Sequence, residues 1–128
     1  MIVHVVLFEP RGDLTDRERE QLLEDLRLAA ASVPELRRCR IGRRIRHGIP
    51  GYEQAMQVDY QYAAIMEFDD HAGLAAYLQH PAHQGIGRHF VASAAGALAY
   101  DFDMVDAADA SAANFREWVR FRRNEATG

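Results

Sequence analysis

Residues 2–8 read Ile-Val-His-Val-Val-Leu-Phe, and this stretch decides the class of fold that the rest of the chain must complete. Its β-branched and aromatic residues, together with its short length, predict a β-strand. Apolar side chains occupy both faces of the strand, and His4 is its one polar residue. We therefore expect other parts of the protein to cover both faces.

The residues that follow this strand predict a helix. Thr15 and Glu18 have the spacing of a capping box, in which each side chain satisfies a free backbone N–H at the start of a helix. Apolar residues then recur at helical spacing from Leu22 to Val33, and Pro34 ends the pattern. The helix should therefore present one apolar stripe.

Two further strands are predicted in the middle of the chain, at residues 37–46 and 58–68, because polar and apolar residues alternate there. In the first of them most arginines share one face, which we expect to be solvated and balanced by acids of the first helix. Arg43 falls on the apolar face instead. Tyr60 and Tyr62 share the apolar face of the second strand.

The second half of the chain repeats the strand–helix–strand order. Asp69 or Asp70 can cap a helix that ends at His80, because Pro81 cannot continue that helix but can begin the next one. Residues 97–105 alternate as a last strand. The whole order predicts an α+β fold of the ferredoxin-like βαββαβ type with a four-stranded antiparallel sheet.

The composition fits one soluble domain. The chain has 128 residues, 48% of them hydrophobic, and a net charge of −4. That charge disfavours a nucleic-acid partner, and the absence of a long apolar run predicts no membrane span. The single cysteine and the lack of a signal peptide favour a cytoplasmic protein.

The main domain is predicted to end near residue 106. Residues 107–128 form a C-terminal extension in which a linker precedes a short helix, Asn114 to Arg123. We expect the Phe115, Trp118 and Val119 face of that helix to pack on the domain or on a partner subunit.

Five segments of the chain are distinctive when taken together. They are Met-Ile-Val-His-Val-Val-Leu-Phe at 1–8, residues 34–42, Met66-Glu67-Phe68, Tyr77-Leu78-Gln79-His80-Pro81-Ala82-His83 and Tyr100-Asp101-Phe102-Asp103. Together they resemble the stress-responsive α/β-barrel (Dabb) family over about residues 1–106, and the His-Pro-Ala-His element is the most specific part. The resemblance implies a homodimeric α/β barrel in which two four-stranded sheets face each other and helices cover the outside.

The resemblance also implies a site. A plant cyclase of this family closes a linear polyketide by aldol condensation without a cofactor. Its catalytic tyrosine and histidine fall on Tyr77 and His83 here, and a pocket histidine of its first strand falls on His4. Tyr62 stands where that cyclase has another pocket histidine.

The residues themselves support a site near the helix break at Pro81. Without the break, Tyr77 and His83 would lie on opposite faces of one helix, whereas the break lets both point at one space. A histidine suits proton abstraction at neutral pH, and a tyrosine hydroxyl can stabilise a forming enolate. The alternative is structural: a histidine caps the helix junction, and Tyr77 packs in the core.

Three other residues are candidates for binding substrate. Tyr60 and Tyr62 line either the core or a pocket, and Arg43 can anchor a substrate carboxylate. His80, His83 and His89 lack the spacing of a metal-ligand set, so we expect no metal and no cofactor.

The sequence leaves the function open among three readings. The first is a homodimer with an interior pocket for a small, mostly apolar or carbonyl-containing molecule; if it is an enzyme, it is a cofactor-independent cyclase or isomerase of the lyase type. The second is a non-catalytic, stress-linked binding or interaction protein. The third and weakest is a monooxygenase-type or haem-binding dimeric barrel.

Overall fold

The computed structural model describes residues 1–109, 116–118 and 120. Within residues 1–109 it has four strands, three α-helices and one short 3₁₀ helix at Glu53–Ala55. In chain order the main elements are β1 (Ile2–Pro10), α1 (Asp16–Ser32), β2 (Arg38–Arg43), β3 (Tyr62–Phe68), α2 (His71–Gln79), α3 (Pro81–Ser93) and β4 (Ala94–Asp103).

The four strands form one open antiparallel sheet in the order β2-β3-β1-β4. This arrangement confirms the ferredoxin-like βαββαβ prediction. Strand β1 lies between β3 and β4, so both of its edges are hydrogen-bonded. Helices cover one of its two apolar faces. None of the described helices is long and apolar enough to cross a membrane.

The helices begin where the sequence places their caps. The Thr15 hydroxyl accepts a hydrogen bond from the backbone N–H of Glu18 at 3.2 Å, and the Asp70 carboxylate accepts one from Gly73 at 2.8 Å. Pro81 is the first residue of α3, so its missing N–H costs no hydrogen bond.

One face of the sheet is covered by the helices. The even-numbered residues of β1 point to this side, as do Ala64, Met66 and Phe68 of β3. Leu26 and Ala29 of α1 pack against them, and Tyr77 of α2 completes the core. Phe68 is fully buried, with 0% of its surface exposed.

The opposite face of the sheet, here called the open face, carries none of the helices α1 to α3. Antiparallel pairing places residues that stand opposite each other on the same face. The open face is therefore made by the odd-numbered residues of β1 and by the exposed Leu98, Tyr100 and Phe102 of β4.

Two strands are shorter than predicted around the β2–β3 loop. Strand β2 ends at Arg43, and β3 begins at Tyr62. Beyond these ends, Arg44 and Arg46 both form ion pairs with Asp59. The prediction that acids of the first helix balance these arginines is wrong.

The C-terminal extension is described only in part. Residues 116–118 and 120 are helical, and the Trp118 side chain is partly exposed. Phe115, Val119 and the remaining residues of the predicted helix lie outside the described residues, so the packing of this helix stays a prediction.

Candidate functional site

A cavity of about 420 Å³ lies between the helix-covered face of the sheet and helices α2 and α3. Its walls are mostly apolar, and four polar side chains interrupt them. Those four residues are His4, Tyr77, His83 and Asp101. Around them the walls are formed by Val6, Leu26, Ala64, Met66, Leu78, Ile86, Gly87, Phe90, Val91, Ala97, Leu98 and Ala99.

Three rings meet at this cavity. The centroids of Tyr77 and His83 are 4.7 Å apart, and the His4 ring lies 5.9 Å from Tyr77 and 6.5 Å from His83. The helix break brings the pair together as expected, because α2 ends at Gln79 and α3 begins at Pro81. His4 reaches them from the neighbouring β1.

His83 has one ring nitrogen occupied and one free for chemistry. Its Nδ1 lies 3.1 Å from the Leu78 carbonyl oxygen. A carbonyl can only accept, so Nδ1 carries the proton, and the Nε2 of the neutral ring keeps its lone pair. Burial lowers the pKa of His83, with a smaller contribution from nearby His4, whereas the bond to Leu78 opposes the shift. The neutral ring is therefore favoured at pH 7.

Tyr77 is suited to donate a hydrogen bond. Only 1% of its surface is exposed, and the ring packs against Phe68 at a centroid distance of 5.4 Å. Burial strongly raises the pKa of its hydroxyl. The phenol therefore stays protonated across the physiological range, which excludes Tyr77 as a base.

His4 is held by a carboxylate that the sequence reasoning missed. Its Nδ1 donates to Oδ1 of Asp101 at 2.6 Å, although 97 residues separate the two in the chain. His4 is 5% exposed, so this bond satisfies a polar group that would otherwise be buried alone. The signal was present in the alternation of β4, where Asp101 shares a face with Ala97 and Ala99 and stands opposite His4.

His80 acts at the junction between α2 and α3. Its Nδ1 accepts a hydrogen bond from the backbone N–H of Ala82 at 3.1 Å, which caps α3. His80 does not line the cavity of the three rings. The junction thus contains one histidine with a capping role and one, His83, that faces the cavity.

The structure does not bring Tyr60, Tyr62 or Arg43 into this cavity. Tyr60 precedes β3, and Arg43 is exposed at the end of β2, opposite Tyr62. Met66 is the residue of β3 that pairs with His4, and Tyr62 lies four residues before it. Tyr62 is therefore about 13 Å along the strand from the position of His4. Tyr62 lines a separate apolar crevice of only about 40 Å³.

His4 points to the helix-covered face of the sheet and not to the open face. All the residues that line the cavity described here come from one protomer. Among the described residues, no group of three or more His, Cys, Asp or Glu side chains is arranged to hold a metal ion.

The comparison with protein families shows which family the chain belongs to. The family described as "Stress responsive A/B Barrel Domain" (Dabb) matches residues 2–104. The chain belongs to the Dabb family. No curated protein matches this Dabb protein.

Solved structures agree with the fold. A dimeric ferredoxin-like protein of unknown function from Jannaschia sp. CCS1 is 30% identical, with a TM-score of 0.65 over 80% of this chain and 98% of that one. A hydroxynitrile lyase from Passiflora edulis is 12% identical, with a TM-score of 0.71 over 82% and 94%. SnoaB, a cofactor-independent oxygenase from Streptomyces nogalater, is 17% identical, with a TM-score of 0.61 over 85% and 97%. The two enzymes show the shared fold alone.

Proposed function

We propose that this Dabb protein is a homodimer in which each protomer binds a small, mostly apolar carbonyl compound and moves a proton beside the carbonyl without a cofactor. The observation that carries the proposal is the meeting of the His4, Tyr77 and His83 rings at one cavity of about 420 Å³. Cavities of this size hold small ligands. Cyclisation and isomerisation are the reactions that such a proton transfer serves.

The proposed step needs two groups. The Nε2 of His83 removes a proton from the carbon next to the carbonyl, and the electron pair of that C–H bond moves onto the carbonyl oxygen. The Tyr77 hydroxyl donates a hydrogen bond to the resulting enolate oxygen. Protonated His83 then returns the proton to another atom of the substrate, so the protein ends the cycle unchanged.

His4 has a positioning role in this proposal. Its Nδ1–H is committed to Asp101, which fixes the orientation of the ring beside Tyr77 and His83. The apolar walls select the rest of the substrate. Arg43 and Tyr60 are too far from the three rings to share in this step.

The open face supports the homodimer. Apolar side chains of three adjacent strands form a continuous surface there, and a second sheet of the same kind would bury it. The proteins of similar fold that are described as dimeric favour the same assembly. The residues concerned are Val3, Val5, Leu7, Ala63, Ile65, Leu98, Tyr100 and Phe102.

The test of the catalytic proposal uses acetophenone as the probe in deuterated water, with exchange at its methyl group followed by proton NMR. We expect His83→Ala to slow protein-dependent exchange by about 100-fold or more, the usual contribution of a general base. The control is His71→Ala, because His71 is exposed at the start of α2. Unchanged exchange in His83→Ala, or no exchange by the unmodified protein, would overturn the proposal.

One observation favours a second candidate, a non-catalytic binding protein. Both His80 and His83 hydrogen-bond the main chain around the α2–α3 junction, which is what a structural role requires. In that case His83→Ala lowers the melting temperature, and the unmodified protein gives no exchange with acetophenone. Thermal unfolding measured beside the exchange assay separates the two candidates.

A further inference from the structure

Helix α3 contains two glycines, Gly85 and Gly87, in its interior. Glycine is the weakest helix former after proline, so each of them weakens the helix. Neither glycine has a positive φ angle, and a Cβ atom added at either position would meet no atom within 4 Å. The backbone and the packing of the described residues therefore do not require glycine at these two positions.

The two glycines differ in what they face. Gly87 lines the cavity of about 420 Å³, whereas Gly85 borders a separate groove between α1 and α3. His83 and Val91 lie one helical turn before and after Gly87, and they line the same cavity. The three residues form one stripe of α3 that extends about 12 Å from His83 to Val91.

Strand β4 forms the opposite wall of this part of the cavity. Asp101, Ala99 and Ala97 line it at alternate positions of the strand, over about 13 Å. The chain passes directly from the end of α3 into the start of β4. At the other end of the two elements, His83 lies 6.5 Å from His4, the partner of Asp101. The two walls therefore run antiparallel and have nearly the same length.

The space between these walls, here called the α3–β4 gap, opens to solvent at its apolar end. Ala97 and Ala99 are exposed although they lie on the helix-covered face of the sheet, and Val91 is 81% exposed. At the polar end, by contrast, Tyr77 is buried. The absence of a side chain at Gly87 keeps the gap clear between the two ends.

We propose that Gly87 determines which substrates the site accepts, because it leaves room in the α3–β4 gap for an elongated apolar chain. This inference rests on the proposed function and gives its substrate class. The substrate is a carbonyl compound whose reacting end lies beside Tyr77 and His83 and whose unbranched chain lies over Gly87 towards Val91. Beyond Asp101 the side chains of the gap are small or apolar, so burial of apolar surface is what holds the chain there.

The experiment measures the dissociation constants of 2-hexanone, 2-octanone and 2-decanone by titrations followed by proton NMR. We expect each added CH₂ group to tighten binding to the unmodified protein by up to about fourfold, the value of burying that group. Gly87→Leu should fill the gap and weaken 2-decanone binding by about tenfold or more, which corresponds to about two buried CH₂ groups. It should also remove the dependence of affinity on chain length.

The matched control is Gly85→Leu, which makes the same change on the same helix outside the cavity. This variant should bind the three ketones as the unmodified protein does. Equal affinities of the two variants for 2-decanone would overturn the inference. So would a dependence on chain length that survives in Gly87→Leu, or an unmodified protein that does not bind 2-decanone.

Thermal unfolding without ligand gives a second readout. Leucine and alanine are much better helix formers than glycine, and both positions have free space. Both leucine variants should therefore melt at or above the temperature of the unmodified protein. If Gly87→Leu does not fold, Gly87→Ala takes its place in the binding experiment, with Gly85→Ala as its control. A clear drop in the melting temperature of Gly87→Ala would mean that protein atoms already fill the gap, which contradicts the inference.

The inference and the proposed function fail separately. Acetophenone exchange that depends on His83, with 2-decanone binding indifferent to the change at Gly87, would remove the inference and leave the proposed function. Binding of 2-decanone that depends on Gly87, in a protein that gives no exchange, would remove the acid–base step and leave a site for elongated apolar molecules. The dependence on chain length should persist in His83→Ala, because the chain extends away from His83.

Discussion

The two faces of the sheet differ in how far the protomer itself covers their side chains. On the helix-covered face the apolar core is closed, and each polar group at the cavity wall has a specific neighbour, as His4 has Asp101. The open face has an exposed apolar patch on β4, with Tyr100 and Phe102 at 58% and 50%. In our proposal the first face surrounds a small molecule, and a second protomer covers the other.

A matched pair of phenylalanines makes the sharpest test of this comparison. Phe68→Ala on the helix-covered face should lower the free energy of unfolding by about 3–5 kcal/mol, the usual cost of removing a buried aromatic ring. Phe102→Ala on the open face should cost the isolated protomer about 0.5 kcal/mol or less. Urea unfolding at low protein concentration measures both. Equal losses there would show that the two faces do not differ.

The open face is tested next by a charge on its edge strand β4. Tyr100→Glu should weaken self-association by about 2–3 kcal/mol, because the carboxylate would be buried in the interface without a partner. The protomer should still fold, since Tyr100 is exposed in the single chain. Native mass spectrometry gives the ratio of monomer to dimer. The control is Tyr52→Glu in the β2–β3 loop, and a dimer that survives both changes would place the interface elsewhere.

The helix-covered face is tested by Asp101→Asn. The amide does not carry the negative charge that binds the His4 Nδ1–H. The activation free energy of acetophenone exchange should therefore rise by about 1.5–3 kcal/mol, the value of a hydrogen bond to a charged group. Asp103→Asn, at the exposed end of the same strand, should leave the rate unchanged. Equal rates in the two variants would show that His4 needs no orientation for the reaction.

The smallest expected effect is a pH dependence of stability from His83. Burial holds its pKa in the folded protein below the ordinary value near 6.5, so the unfolded chain binds more protons in that range. The contribution of His83 to stability is therefore complete above about pH 6.5 and is lost as the pH falls through the lowered pKa. In urea unfolding at several pH values, the free energy of unfolding should decrease less steeply with falling pH in His83→Gln than in the unmodified protein. A His71→Gln control should keep the original slope.

Much of the fold could be predicted because its signals are local. The capping side chain of Thr15, the helix stop at Pro34 and the break at Pro81 each depend on neighbouring residues. The strand boundaries near Arg43 and Tyr62 were less accurate, because the alternation of polar and apolar residues continues beyond the residues that pair in the sheet.

The site was predictable only where family resemblance or the helix break gave a signal. His4, Tyr77 and His83 were identified in this way, and the structure brings their rings together. Asp101 was missed because the alternation of β4 gives only the face on which it lies, whereas its pairing with His4 depends on the register of β1 against β4.

The break between α2 and α3 has a consequence for how the site forms during folding. Tyr77 and His83 are six residues apart, so closing the short segment between them brings their rings together early and at little entropic cost. His4 and Asp101 are 97 residues apart and meet only when the two ends of the domain pair in the sheet. A partly folded chain can thus contain the Tyr77–His83 pair without an oriented His4. The complete site forms only after β4 has paired with β1.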